Sequence, residues 1–191
     1  MPKPTRALIA TAYHEAGHAV MAWAHDVGVK EVSIVPNMER NSLGHCQHIV
    51  WSAFRPDLED SLRTRDRVQW LIMVFLGGRE AERRFTGRYN HGGATGDMHQ
   101  VFNMASYLAS SDDEIDALVR WLTIRTRNSL DVYWAFVEGL AAALLEEQQM
   151  RGKRVREVMT AVAQQRVRHE APPVGSAFAT AEDLREFFQE R

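Results

Sequence analysis

The run Tyr13-His14-Glu15-Ala16-Gly17-His18-Ala19-Val20-Met21-Ala22-Trp23-Ala24-His25 places two histidines four residues apart, with a glutamate directly after the first. This is the pattern H-E-x-x-H. On a helix, residues i and i+4 stand one turn apart on one face, so His14 and His18 can aim both imidazoles at a single metal ion. Glu15 lies about 100° further round at 3.6 residues per turn. It can therefore stand beside the ion without binding it, where a general base for the attacking water is wanted. Ala12, Ala16, Ala19 and Ala22 favour the helix, whereas Gly17 costs it about 1 kcal/mol relative to alanine. A glycine in that place predicts that another segment packs close.

Outward from this stretch, the pattern predicts a first helix over residues 5–26, capped by Thr5 and stopped by a left-handed Gly28. Residues 29–36, with Val32 and Ile34 alternating, read as a strand. A turn over 37–42 and a returning strand over 43–51 complete a hairpin, with Gly44 as a candidate bulge. The stripe Val68, Leu71, Ile72, Phe75, Leu76 marks a long buried helix from residue 57 or 61 to 86. Gly77 and Gly78 interrupt it, which predicts that the first helix crosses there. A glycine-rich loop over 86–96 delivers Asp97 at a helix start, followed by helices over 98–108, about 111–127, 131–150 and 153–169. Residues 171–175 read as a linker and 181–189 as a short tail helix. The expected fold is mainly α, in the α+β sense, with a small antiparallel hairpin beside the active-site helix. Residues 1–170 form the domain and 171–191 the linker and C-terminal helix.

Composition narrows the partners. The 191 residues hold 23 basic and 25 acidic side chains, a net charge of -2, so no electrostatic footprint for nucleic acid is present. A single cysteine, Cys46, excludes an internal disulfide framework and a cysteine-rich zinc site. No apolar run approaches the roughly 20 residues of a spanning helix, and the N-terminus lacks an apolar signal core. A soluble, cytoplasmic protein is the expectation. His45, Cys46 and His48 lie within four residues, but on a strand only Cys46 and His48 share a face, so they read as partly exposed strand residues and not as a second metal site. The five tryptophans, Trp23, Trp51, Trp70, Trp121 and Trp134, read as core.

A catalytic zinc takes three protein ligands and keeps one position open, so His14 and His18 need a partner. Met21 and Ala24 break the extended motif H-E-x-x-H-x-x-G-x-x-H, and His25 is about 10 Å along the helix from His18. Two carboxylates compete, Glu82 after the glycine pair and Asp97 after the glycine-rich loop.

Three blocks, Ala12-Tyr13-His14-Glu15-Ala16-Gly17-His18-Ala19, Leu76-Gly77-Gly78-Arg79-Glu80-Ala81-Glu82 and Gly93-Ala94-Thr95-Gly96-Asp97-Met98, together resemble the protease domain of the FtsH-type membrane-anchored AAA metalloproteases. The likeness covers roughly residues 7–160. It implies His14, His18 and Asp97 as zinc ligands, Glu15 as the base, and Glu82 as a carboxylate hydrogen-bonded to a ligating histidine. Gly96 stands where the family has asparagine, and residues 110–131 lack the family pattern. The resemblance is to the peptidase domain standing alone, since no G-x-x-x-x-G-K-[ST] phosphate loop occurs. The expected function is an ATP-independent zinc metalloendopeptidase acting on peptides or unfolded proteins. Its rival is a catalytically silent zinc protein of the same family acting as a binding or scaffold module. A homo-oligomer and a separate ATPase stand as candidate partners; no nucleic acid and no membrane segment are expected.

Overall fold

Three hydroxyl side chains start the long helices. Thr5, in extended backbone, accepts from the Leu8 amide and opens α1, Arg6–Ala24. Ser61 does the same for Thr64 at the head of α2, Leu62–Thr86. Ser111 and Glu114 exchange bonds in a capping box at the head of α4, Asp112–Glu147. Each side chain satisfies an amide that the first helical turn leaves without a partner. The computed structural model describes residues 3–36, 43–49, 51–90 and 95–170, without the side chains of 166–170. The linker and tail helix expected over 171–191 lie outside these residues, as do the turn at 37–42 and residues 91–94 of the glycine-rich loop.

Between the caps run β1, Gly28–Ser33, β2, His45–Ile49, α3, Thr95–Ala105, β3, Gln149–Arg151, and α5, Gly152–Glu170. The mainly helical class with a small antiparallel sheet is as expected. The sheet has the order β2-β1-β3, and both pairings are antiparallel. The bulge falls between Val29 and Glu31 of β1, not at Gly44.

Four further details depart from the sequence reading. α1 ends at Ala24 with His25 as its C-cap, and Asp26, not Gly28, takes the left-handed conformation, with φ 55°. The helices expected over 111–127 and 131–150 are one continuous helix. Residues 127–131 contain neither glycine nor proline, and Thr126 and Leu130 are buried on the same stripe, so packing carries the helix through. β3 carries no signal in the sequence; three residues are too few to show a period, and only pairing with β1 makes them a strand. Trp23 and Trp121 are 41% and 47% exposed instead of core.

α1 and α2 cross at the glycines that predicted it. A Cβ on Gly17 would stand 2.4 Å from the Gly77 carbonyl oxygen, and one on Gly77 2.7 Å from Met21 Cγ. Only hydrogen at both positions lets the two backbones touch. This contact carries the lower half of α2 along the face of α1 that bears the histidines.

Candidate metal centre

His14 Nε2 lies 3.1 Å from His18 Nε2 and 3.1 Å from Asp97 Oδ2, and His18 Nε2 lies 3.2 Å from the same oxygen. The three atoms form a nearly equilateral triangle. α1 supplies two corners by its i, i+4 spacing, and the first turn of α3 supplies the third. Among the described residues this is the one group of histidine, cysteine and acidic side chains with metal-site spacing.

The other ring nitrogens settle what the corners offer. His14 Nδ1 donates to Glu82 Oε2 at 3.0 Å, and His18 Nδ1 donates to the Val74 carbonyl at 2.8 Å. With the protons on Nδ1, both Nε2 atoms present lone pairs toward each other and toward a carboxylate oxygen. Two ring nitrogens and a carboxylate oxygen then converge, an arrangement that needs a cation between them, either a metal ion or a proton on a ring nitrogen. The edges suit a metal ion: ligands held 2.0–2.1 Å from a tetrahedral zinc stand about 3.3 Å apart. Space is kept for it, because a Cβ on Gly78 would lie 2.3 Å from His18 Nε2 and 2.7 Å from His14 Nε2.

The electrostatics agree. Burial alone would lower His14, but hydrogen bonds to Asp97 and Glu82 outweigh it and push the imidazole to about 10. Burial likewise opposes a charge on His18, and Asp97 overcomes it, so His18 is raised too. Asp97, despite burial, is held well below the usual carboxylate range by the two imidazoles. The pocket is built to hold positive charge.

Glu15 points from the same helix into the wall made by β1 and β2. A Cβ on Gly44 would stand 2.7 Å from Glu15 Oε1 and 2.8 Å from the Ser33 carbonyl, so a glycine is required where the hairpin passes the carboxylate. Burial raises the Glu15 carboxyl, while His18 and His14 pull it down. Glu82 meets His14 from behind and its other oxygen accepts from Asn90 Nδ2 at 3.1 Å. Asn90 and the Val74 carbonyl carried no signal in the sequence. A cleft of about 1250 Å³ opens over these groups, running from Arg6, Thr11 and Arg88 to Pro36, Leu43 and Phe75.

The trio on β2 takes other roles. His45 Nε2 pairs with Glu31 Oε1 at 3.1 Å. The Cys46 thiol is pushed up by burial and by Glu15 and Asp97, away from the thiolate a metal would need. His48 packs edge-on against His18 and Phe75.

No helix among the described residues is long and apolar enough to cross a membrane. The chain is 37% identical over 101 residues to an ATP-dependent zinc metalloprotease FtsH of Heterosigma akashiwo, covering 51% of this chain and 14% of that protein. It is 36% identical over 96 residues to the mitochondrial inner membrane m-AAA protease component AFG3L1 of Mus musculus, 49% of this chain and 11% of that one. A third relative, ATP-dependent zinc metalloprotease FtsH 1 of Salinibacter ruber, is 35% identical over 96 residues, 49% of this chain and 13% of that protein. The chain thus spans only a small part of the relatives it matches. The family model for peptidase family M41 matches residues 4–111, which takes in α1 to α3 and leaves α4, β3 and α5 beyond it. Covering more than half of the 191 residues, that match shows that the chain belongs to peptidase family M41.

Proposed function

We propose that the chain is a zinc-dependent metalloendopeptidase in which His14, His18 and Asp97 hold the metal and Glu15 is the general base. The observation that carries this reading is the triangle of His14, His18 and Asp97, with Glu15, about 100° further round the same helix, lining the same cleft. A bound zinc would polarise the scissile carbonyl and acidify the attacking water. Glu15 takes the proton of that water and returns it to the departing amine, a role that suits a carboxyl raised by burial. Glu82 fixes the tautomer and orientation of His14 through Nδ1, and the Val74 carbonyl does so for His18.

Substrate would enter the cleft as an extended segment. β2 is an edge of the sheet, and Gly44, His45, Cys46 and His48 line the cleft. An edge strand beside a cleft can accept a peptide by main-chain pairing. Nothing in these 191 residues has the sequence of a phosphate loop, so the chain by itself cuts peptides and unfolded proteins without nucleotide.

The test is metal content and cleavage of unfolded casein by the purified chain, with and without a zinc chelator. Expected are one zinc per chain and cleavage abolished by the chelator and restored by zinc. Stoichiometric zinc without any cleavage would support the scaffold alternative, and a chain that takes up no zinc would overturn both.

A further inference from the structure

Glu80 lies on α2 two residues before Glu82, and its side chain is fully buried. A carboxylate is tolerated there only if it is paired and hydrogen-bonded. Arg127 Nε reaches Oε2 at 2.8 Å, Arg83 Nε reaches the same oxygen at 3.0 Å, and the Tyr89 hydroxyl donates to Oε1 at 3.0 Å. Arg79 Nε stands 3.6 Å from Oε1. A second nitrogen of Arg127 donates to the Tyr89 hydroxyl, and the Arg79 guanidinium covers the Tyr89 ring at 4.5 Å.

This hub reaches the metal centre by two arms. Tyr89 is followed by Asn90, whose Nδ2 bonds Glu82 Oε1, and Glu82 holds His14 Nδ1. Arg79 extends the other way, its Nη1 donating to the sulfur of Met98 at 2.8 Å, and Met98 is the residue after Asp97. Glu80 and Tyr89 join the two arms, and Arg127 holds both residues from a helix that lies outside the family match.

We infer that Glu80, Arg127 and Tyr89 are positioning residues for the metal centre, through which α4 sets the orientation of His14 and the approach of Asp97. The inference rests on the reading of His14, His18 and Asp97 as the zinc site. A cluster that merely held α2 to α4 would change folding stability and leave the metal ligands as they are. A positioning device changes the ligands.

Tyr89→Phe removes one hydroxyl and keeps the ring under Arg79; Arg127→Met removes the strut and keeps much of its length. In each, the zinc Kd is measured by chelator competition, the ligand field by the visible spectrum of the cobalt-substituted protein, and folding by thermal melting. The His14 Nδ1–H signal is followed in 1H–15N spectra of the metal-free protein. The expected result is zinc binding weakened about 10-fold in both variants, the scale for loss of a ligand's supporting partner. A shifted cobalt spectrum and a broadened His14 Nδ1–H accompany it. Zinc Kd, cobalt spectrum and His14 signal all unchanged, with only the melting temperature lowered, would overturn the inference. If Arg127→Met does not fold, Tyr89→Phe decides. If the wild-type chain binds no zinc, the proposed function fails on that measurement alone. The inference then stands or falls on whether the His14 signal of the metal-free protein broadens in Tyr89→Phe.

Discussion

Gly78 faces His18 so closely that a Cβ on the glycine would stand 2.3 Å from the imidazole Nε2. The missing side chain is therefore part of the site. Alanine favours a helix by about 1 kcal/mol over glycine, so Gly78→Ala should not unwind α2. It should displace the imidazoles and weaken zinc binding by at least about 100-fold, the upper range for disturbing a ligand's surroundings. Chelator competition checks this; an alanine variant with wild-type zinc affinity contradicts the close approach.

Glu15 lies next to the metal triangle and outside it, so the two functions should separate. Glu15→Gln should keep stoichiometric zinc and lose at least about 100-fold in kcat. Metal analysis of the variant, together with its casein turnover, decides; undiminished turnover would remove Glu15 from the mechanism.

The two competing carboxylates differ in what they touch. Asp97 Oδ2 meets both Nε2 atoms, whereas Glu82 Oε2 meets His14 Nδ1 on the far side of the ring. Asp97→Ala should abolish high-affinity zinc binding, and Glu82→Gln should weaken it about 10- to 100-fold. The reverse order of effects in calorimetric titrations would invert the assignment.

His48 makes the metal-free fold sensitive to acid. Burial and the neighbouring His18 lower its imidazole to about 4. The unfolded chain, with an ordinary histidine near 6.5, binds the proton first as pH falls. The contribution is thus complete above 6.5 and disappears between about 6.5 and 4, amounting to roughly 3 kcal/mol at about 1.36 kcal/mol per unit. Urea unfolding of the chelated protein at pH 7.5 and 4.5 should show a larger loss of stability for wild type than for His48→Leu. Equal losses would contradict it.

Nucleotide should not matter to this chain. Adding magnesium and ATP to the casein assay is expected to leave the rate unchanged, because no phosphate-loop sequence is present. An ATP-stimulated rate from the purified chain would show a nucleotide site that its sequence does not announce.

What the sequence determined by itself was whatever the backbone encodes within one or two turns. His14, Glu15 and His18 share a helix, so their spacing alone fixes their relative directions. The caps Thr5, Ser61 and Ser111 act on amides three residues away, and Gly17 with Gly77 marked a crossing because a missing side chain is itself a packing statement. Asp97 and Glu82 lie 83 and 68 residues from His14, and from the residues alone they stayed rivals; only the resemblance ordered them. Tertiary structure decided which nitrogen of the imidazole each carboxylate meets. It also decided that Gly44 passes against Glu15, that three residues after α4 become a strand, and that α4 continues through 127–131. The buried Glu80 was invisible for the same reason. Read locally it is one more helix glutamate, and only the folding of Tyr89 and Arg127 onto it, 9 and 47 residues away, makes it a hub. Spacing along a chain carries direction over a few residues, whereas the meeting of distant groups is set by the packing of whole helices.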